Sequence, residues 1–221
     1  MTNDDLAIVL VAAGSSARMG FPKLWTPVYG APLLARALAA AQAAAPAELV
    51  LVVGGDRLAE ATALAPGVRV VAGGDRRRDS VAAGLAASSA GWVAVHDAAR
   101  ALAPAALFGR GLEAARSTGA AIPALPLKDT IKRVFDGYVA HTPPRAEHII
   151  VQTPQVFRRD LLLRALALTD ADVTDEAALV EQLGVRVAVF AGDEHAFKVT
   201  TPLDFVVAQA ILERADGQGA R

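Results

Sequence analysis

The residues best suited to chemistry in this chain sit in short glycine- or charge-bearing stretches that follow apolar runs. The first is A-A-G-S-S-A-R-M-G-F-P-K, residues 12–23. Gly14 and the small Ser15, Ser16 and Ala17 let backbone N–H groups approach the phosphate oxygens of a ligand. Arg18 can meet that charge as a planar fork, and Lys23 as a mobile point charge. The spacing fits neither the G-x-G-x-x-G of a dinucleotide loop nor a Walker A loop, which disfavours an NAD-dependent oxidoreductase. On this stretch alone, a nucleotide-polyphosphate cradle and a purely structural turn both stay open.

The second stretch is G-G-D-R-R-R-D-S-V-A-A-G-L, residues 73–85. Gly73 and Gly74 free the backbone, and Ser80 could cap the helix that follows. Three consecutive arginines at a helix N-terminus are an oddity, because that end prefers anions. A bound anion, or the flanking Asp75 and Asp79, would relieve the conflict. The third stretch is H-D-A-A-R, residues 96–100. Asp97 at a strand end could hold Mg²⁺ against phosphates, since Mg²⁺ takes one or two carboxylates plus substrate oxygens. The plainer alternative is an Asp capping the next turn, with Arg100 as its ion partner. Lys198, in F-K-V-T, either snorkels to solvent or points into the cleft. T-D-E, residues 174–176, reads as an N-cap signature.

The elements that must position these residues follow from an alternation of short apolar runs with longer amphipathic ones. Strands are expected at Leu6–Ala12, Leu49–Val53, Val68–Ala72, Trp92–His96, Ala121–Leu125 and Arg186–Phe190. Each is nearly continuous in apolar residues, as for parallel strands buried on both faces. Helices are expected at Leu33–Ala44, Arg57–Leu64, Ser80–Ser88, Ala105–Ser117, Arg159–Leu168, Asp175–Leu183 and Leu203–Ala215, the last with Thr201 and Pro202 as N-cap and N1. The pattern is that of a doubly wound α/β sandwich, in which ligands bind beyond the carboxyl ends of the strands. The 221 residues suit a single domain over 1–221.

Lys plus Arg (22) and Asp plus Glu (23) nearly cancel, so no nucleic-acid or membrane-surface partner is expected. The absence of Cys excludes disulfides, thiolate nucleophiles and Cys-based metal sites. The four His residues lack paired ligand spacing. Acidic residues precede the first strand where a signal peptide would be basic, and a cytoplasmic protein is expected.

One segment, about 128–153, breaks the alternation. Asp136-Gly137 between V-F and Y-V signals a two-residue hairpin, because both turn positions need positive φ. The hairpin either projects as an arm needing a partner for Ile131, Val134, Phe135, Tyr138 and Val139, or folds back on its own domain.

In order along the chain, A-A-G-S-S-A-R-M-G-F-P-K, G-G-D-R-R-R-D-S-V-A-A-G-L, H-D-A-A-R, K-D-T-I-K, Q-T-P-Q-V-F, T-D-E-A and F-K-V-T together resemble the 2-C-methyl-D-erythritol 4-phosphate cytidylyltransferase family. The resemblance implies a Rossmann-like nucleotidyltransferase fold with a β-arm clasping a second subunit, hence a homodimer. It implies attack by a phosphate oxygen of methylerythritol 4-phosphate on the α-phosphorus of CTP, releasing pyrophosphate, with Mg²⁺ as the cation. Carried over, Arg18, Lys23 and Lys198 would handle the triphosphate and Asp97 the metal. Ala12, Ala13, Gly14, Gly74, Asp75 and Ser80 would read cytosine and ribose, with Arg77 in support. Arg100 and Thr174 would line the sugar-phosphate site, with Thr130 and Arg145 from the other subunit's arm. Two positions depart from the family: Ser16 stands where a second Gly is usual, and Leu24 where Gln is frequent. The first loop is also similar to that of molybdenum-cofactor cytidylyltransferases, and a pentitol phosphate cytidylyltransferase shares much of the motif set. From another class, a nucleotide-binding regulator without catalysis is the alternative those two departures motivate.

Overall fold

A computed structural model of the chain describes residues 3–14, 20–170 and 173–219. In chain order the first half runs β1 (Asn3–Val11), β2 (Pro27–Val28), β3 (Ala31–Pro32), α1 (Leu33–Ala43), β4 (Pro46–Val53), α2 (Leu58–Leu64), β5 (Arg69–Ala72), α3 (Arg77–Ala86), β6 (Trp92–Asp97), α4 (Ala106–Ala115) and β7 (Ala120–Pro126). The second half runs β8 (Arg133–Phe135), β9 (Tyr138–His141), β10 (Ile149–Val151), β11 (Gln155–Arg158), α5 (Arg159–Leu168), α6 (Glu176–Glu181), β12 (Ala188–Ala191) and α7 (Pro202–Gly219).

The large sheet has the path β5-β4-β1-β6-β11-β7, with β1, β4, β5 and β6 parallel. Its central strands β1, β4 and β6 are buried on both faces, and alternate residues sort cleanly between them. Leu51 and Val53 join the cluster against α1, while Val50 and Val52 join the one against α3 and α5. In β1, Leu10 joins the first of these clusters, Val9 the second, and Leu6 and Ile8 a third that Phe108 of α4 completes. This is the doubly wound α/β arrangement that the apolar runs imply, with helices on both faces. Among the described residues, no helix is long and apolar enough to cross a membrane.

Three local features differ from the sequence expectation. The sheet is not wholly parallel, because β11 runs antiparallel between β6 and β7. Ala124 of β7 pairs with Val151 of β10 and with Ala191 of β12, so these lie on opposite sides of β7. Ala121 likewise has β11 opposite β12. The chain after the insertion therefore returns along one edge of β7 in two strokes, and residues 149–151 belong to the main sheet. Q-V-F is too short and too close to Pro154 to announce a strand by pattern, yet Val156 and Phe157 are fully buried.

The second difference is at α3, which starts at Arg77, three residues before Ser80. Ser80 is no cap; its hydroxyl turns back to the Arg76 carbonyl oxygen at 3.3 Å. The end is closed instead by Asp79, whose Oδ2 accepts from the Arg76 backbone N–H at 3.3 Å and from Arg76 Nε at 2.8 Å. Third, the last strand of the sheet is Ala188–Ala191, starting two residues later than its apolar run implies.

The Asp136-Gly137 turn forms, with φ of 50° and 79°. It joins β8 to β9, which pair with each other and, among the described residues, with no strand of the main sheet. Val134, Phe135, Tyr138 and Val139 are all exposed, Phe135 and Tyr138 at 77% and 78%.

Candidate active site at the carboxyl ends of the strands

Backbone hydrogen bonds continue the sheet just past its strand ends and set the loops side by side. Ala12 N–H donates to Val52 O at 2.7 Å, Gly73 N–H to Val53 O at 2.7 Å, and Ala98 N–H to Val11 O at 3.0 Å. The loops beginning at Ala12, Gly73 and Asp97 thus share one edge. Gly73 has no room for a side chain: a Cβ there would lie 2.5 Å from Ser80 Oγ and 2.7 Å from Ala13 Cβ. A Cβ on Gly74 would lie 2.5 Å from Asp79 Cβ. Ala13, Gly73, Gly74 and Ser80 are therefore neighbours, as a common pocket requires, and Asp75 beside them is exposed.

The oddity of three consecutive arginines is resolved one by one. Arg76 pairs with Asp79 and reaches Asp170 Oδ1 at 2.8 Å. Arg78 Nη2 donates to Leu166 O at 2.9 Å. Arg77 turns under the cleft, where Nε and Nη2 donate to Asp97 Oδ1 at 3.3 and 3.1 Å. Its Nη1 donates to Glu176 Oε1 at 2.5 Å.

Asp97 is the hub of the edge. Its Oδ2 accepts from Lys198 Nζ at 2.7 Å, and its backbone N–H donates to Thr153 Oγ1 at 3.0 Å. Burial alone would raise the Asp97 carboxyl, but Arg77 and Lys198 outweigh it and hold the group well below the usual carboxylate range. The preceding His96 is fully buried, with Nδ1 3.0 Å from Thr153 Oγ1 and its ring edge-on to Phe108. Burial pushes the His96 imidazole down to about 4, so it is neutral at physiological pH.

The F-K-V-T segment is clamped between two other loops. Val199 N–H donates to Ala99 O at 2.9 Å, and Lys23 Nζ donates to Val199 O at 2.8 Å. Thr201 and Asp204 then form a capping box on α7: Thr201 Oγ1 accepts from Asp204 N–H at 3.2 Å, and Asp204 Oδ2 accepts from Thr201 N–H at 2.8 Å. Thr201 and Pro202 do serve as N-cap and N1. Arg100 points below this segment, with Nη1 donating to Ala196 O at 2.8 Å and Nη2 to Val151 O at 3.4 Å. Burial pulls the Arg100 guanidinium below its ordinary value.

Lys23, Asp97, Lys198 and Arg77 are thus brought together, with Ala12, Ala13, Gly74 and Ser80 alongside and Arg100 on the Ala196 side. Thr130 and Arg145 are exposed in the insertion, Arg145 Nη1 donating to Lys128 O at 2.8 Å. Among the described residues, neither is hydrogen-bonded to the Asp97 cluster. Thr174 is exposed, and the cap of α6 is its neighbour Asp175, whose Oδ1 accepts from Ala178 N–H at 3.1 Å. Arg18 and Ser16 lie outside the described residues. Sequence reasoning passed over three groups. A cleft of about 320 Å³ beside Ala12, Ala13 and Gly14 is also lined by Trp25, Asp56 and Arg57. Thr153 buttresses Asp97 and is legible only as part of Q-T-P-Q-V-F. Glu176, read as part of a cap signature, is instead buried under Arg77.

A cluster of cations around one carboxylate, opening beside small-residue loops, is an arrangement for phosphate chemistry rather than hydride or thiol chemistry. A family model described as "IspD: 2-C-methyl-D-erythritol 4-phosphate cytidylyltransferase" matches residues 6–214. The chain belongs to the 2-C-methyl-D-erythritol 4-phosphate cytidylyltransferase family. It is 48% identical over 209 residues to the enzyme of that name from Rhodococcus jostii (strain RHA1), covering 91% of this chain and 92% of that one. It is 47% identical to the enzyme of the same name from Nocardia farcinica (strain IFM 10152), with 96% of each chain covered. The crystal structure of 4-diphosphocytidyl-2C-methyl-D-erythritol synthase from Anaerococcus prevotii DSM 20548 superposes with a TM-score of 0.84 at 28% identity, covering 96% of this chain and 99% of that one. For a member of the cytidylyltransferase family, the departure at Leu24 has a packing reason. Leu24 is 5% exposed within the cluster against α1, and its carbonyl oxygen accepts from Leu34 N–H at 2.8 Å.

Proposed function

We propose that this chain is a CTP-dependent enzyme that joins CTP and 2-C-methyl-D-erythritol 4-phosphate to give CDP-methylerythritol and pyrophosphate, a step of the non-mevalonate route to isoprenoids. The observation that carries the proposal is the convergence of Lys23, Lys198 and Asp97 at one sheet edge, in a chain matched along nearly its whole length by this family. A phosphate oxygen of the sugar phosphate attacks the α-phosphorus in line. The bond from that phosphorus to the bridging oxygen breaks, and pyrophosphate leaves with the electron pair. No covalent intermediate is needed, because positioning and charge neutralisation supply most of what such a transfer requires.

Lys23 and Arg18 hold the triphosphate, and Lys198 exchanges its contact with Asp97 for the phosphates. Backbone at Ala12 to Gly14, with Gly74, Asp75 and Ser80, reads cytosine and ribose, and Arg77 supports the pocket. Arg100 and Thr174 line the sugar-phosphate site, completed by Thr130 and Arg145 from a partner's hairpin in a homodimer. Exposed Phe135 and Tyr138 favour that use of the hairpin as an arm. Cytoplasm is the compartment this reading assigns.

Among the described residues, no three acidic or His side chains gather as a metal cage. The donor set fits Mg²⁺ in a narrower way: Asp97 is one ionised carboxylate at the cleft, and the remaining ligands would be phosphate oxygens and water. The ion would supply charge neutralisation on the phosphates when bound.

A pyrophosphate-release assay crossing CTP, ATP, GTP and UTP with methylerythritol 4-phosphate and ribitol 5-phosphate tests the proposal. Release with CTP and methylerythritol 4-phosphate alone is expected. Release confined to ribitol 5-phosphate would reassign the acceptor, and silence with every pair would overturn the enzymatic reading.

A further inference from the structure

Glu176 ends the polar chain that starts at the cleft with Lys198, and the reaction as proposed gives it no part. Capping does not account for it, since Asp175 performs that task. Its side chain is 0% exposed, and while Oε1 accepts from Arg77, Oε2 has no hydrogen-bond partner among the described residues. A buried carboxylate with one oxygen unpaired is a costly device for stability alone; an apolar residue of similar size commonly does as well. What Glu176 does in the structure is hold one arm of a guanidinium.

The consequence lies at Asp97. A free guanidinium tends to grip a carboxylate side-on, through both oxygens. Here Nε and Nη2 of Arg77 both go to Oδ1 of Asp97, while Nη1 goes to Glu176. Oδ2 is left to Lys198, whose side chain is 38% exposed and so free to exchange. α6 is itself pinned in place: Gln155 Nε2 donates to Asp175 Oδ2 at 2.8 Å, and Gln155 Oε1 accepts from Ala177 N–H at 3.2 Å.

We propose that Glu176 is a positioning residue that draws Arg77 off the outer oxygen of Asp97 and keeps that oxygen open to an exchangeable cation. The cation is Lys198 in the ligand-free protein and the divalent ion in the nucleotide complex; in this the inference rests on the cytidylyltransferase reading. Without Glu176, Arg77 closes on both Asp97 oxygens and competes with the ion.

Mn²⁺ is the probe, with its free concentration read by electron paramagnetic resonance in the presence of a non-hydrolysable CTP analogue. Glu176→Gln is expected to weaken Mn²⁺ binding about 10-fold, the lower end of what loss of a ligand's supporting partner does. Analogue binding without the ion should stay at the wild-type level. In turnover, the Mg²⁺ concentration for half-maximal rate should rise while the rate at saturating Mg²⁺ is nearly kept. In an Arg77→Met background, Glu176→Gln should bring no further loss. Wild-type Mn²⁺ affinity in Glu176→Gln, even with a lowered unfolding midpoint, would overturn the proposal, and so would an equal loss in the Arg77→Met background. If Glu176→Gln does not fold, Glu176→Asp withdraws the charge by one methylene and carries the same test. Mn²⁺ binding needs no turnover, so a wild type silent in pyrophosphate release would refute the proposed reaction while the Mn²⁺ ratio still decides Glu176.

Discussion

Lys198 Nζ donates to Asp97 Oδ2 at 2.7 Å, joining groups 101 positions apart in the chain. The pair ties the segment before α7 to the end of β6 and puts a cation where an anionic ligand would meet the sheet edge. Lys23 approaches from the other side through Val199 O. If both lysines stabilise charge that develops in the transition state, Lys23→Ala or Lys198→Ala should lower turnover on the order of 10²–10³-fold. Steady-state pyrophosphate release measures this, and near-wild-type rates for both would sink the assignment.

A second expectation concerns the partition of the site between subunits. Arg145→Ala should impair use of the sugar phosphate more than CTP binding. An equimolar, subunit-exchanged mixture of Arg145→Ala with Asp97→Ala should regain part of the activity, because one kind of mixed site carries neither lesion. No recovery after exchange would argue against a site shared through the hairpin.

The packing of α3 on the sheet supplies a third. A Cβ on Gly84 would lie 2.3 Å from Val9 Cγ1 and 3.1 Å from Val52 Cγ2, both in central strands. Gly84→Ala should therefore destabilise by about 1–3 kcal/mol, the usual cost of overpacking a filled core. Urea unfolding should show a lower midpoint at unchanged slope. Since α3 carries Ser80, weaker CTP binding should accompany the loss.

The capping box at α7 makes a pH-dependent contribution. Burial tends to raise the Asp204 carboxyl, but the N–H groups and hydroxyls of Thr200 and Thr201 together hold it below its ordinary value. A carboxyl lowered in the folded state stabilises fully above its unfolded value, and the contribution is lost as pH falls through the folded value. Asp204→Ala should therefore cost about 1 kcal/mol near neutrality. The gap to wild type should narrow below about pH 4. A gap that stays constant with pH in urea titrations would show that the charge plays no part.

Much of the scaffold was legible in the residues. α5 spans Arg159–Leu168 as its apolar periodicity predicts, and the Asp136-Gly137 turn has the positive φ values its residue types imply. These features are local, decided by neighbours within a turn or a pleat. The antiparallel β11 was not, because the four residues after Pro154 carry no period to read. The start of α3 was misplaced because Ser80 has the right type for a cap, while the Arg76–Asp79 pair that closes the end is an unusual one.

For the site, Lys23, Asp97 and Lys198 could be picked out singly, each by its type at the end of an apolar run. Their grouping was suggested by the place of their loops at the carboxyl ends of strands and by the order of the motifs. By itself the sequence determined the strand and helix alternation, the hairpin turn and the family. Tertiary structure decided which groups meet: Arg77 finds Glu176 across 99 positions, and Asp97 finds Thr153 across 56. Such partners depend on which strand lies beside which and on what burial leaves unpaired. A side chain's own type and spacing carry neither fact.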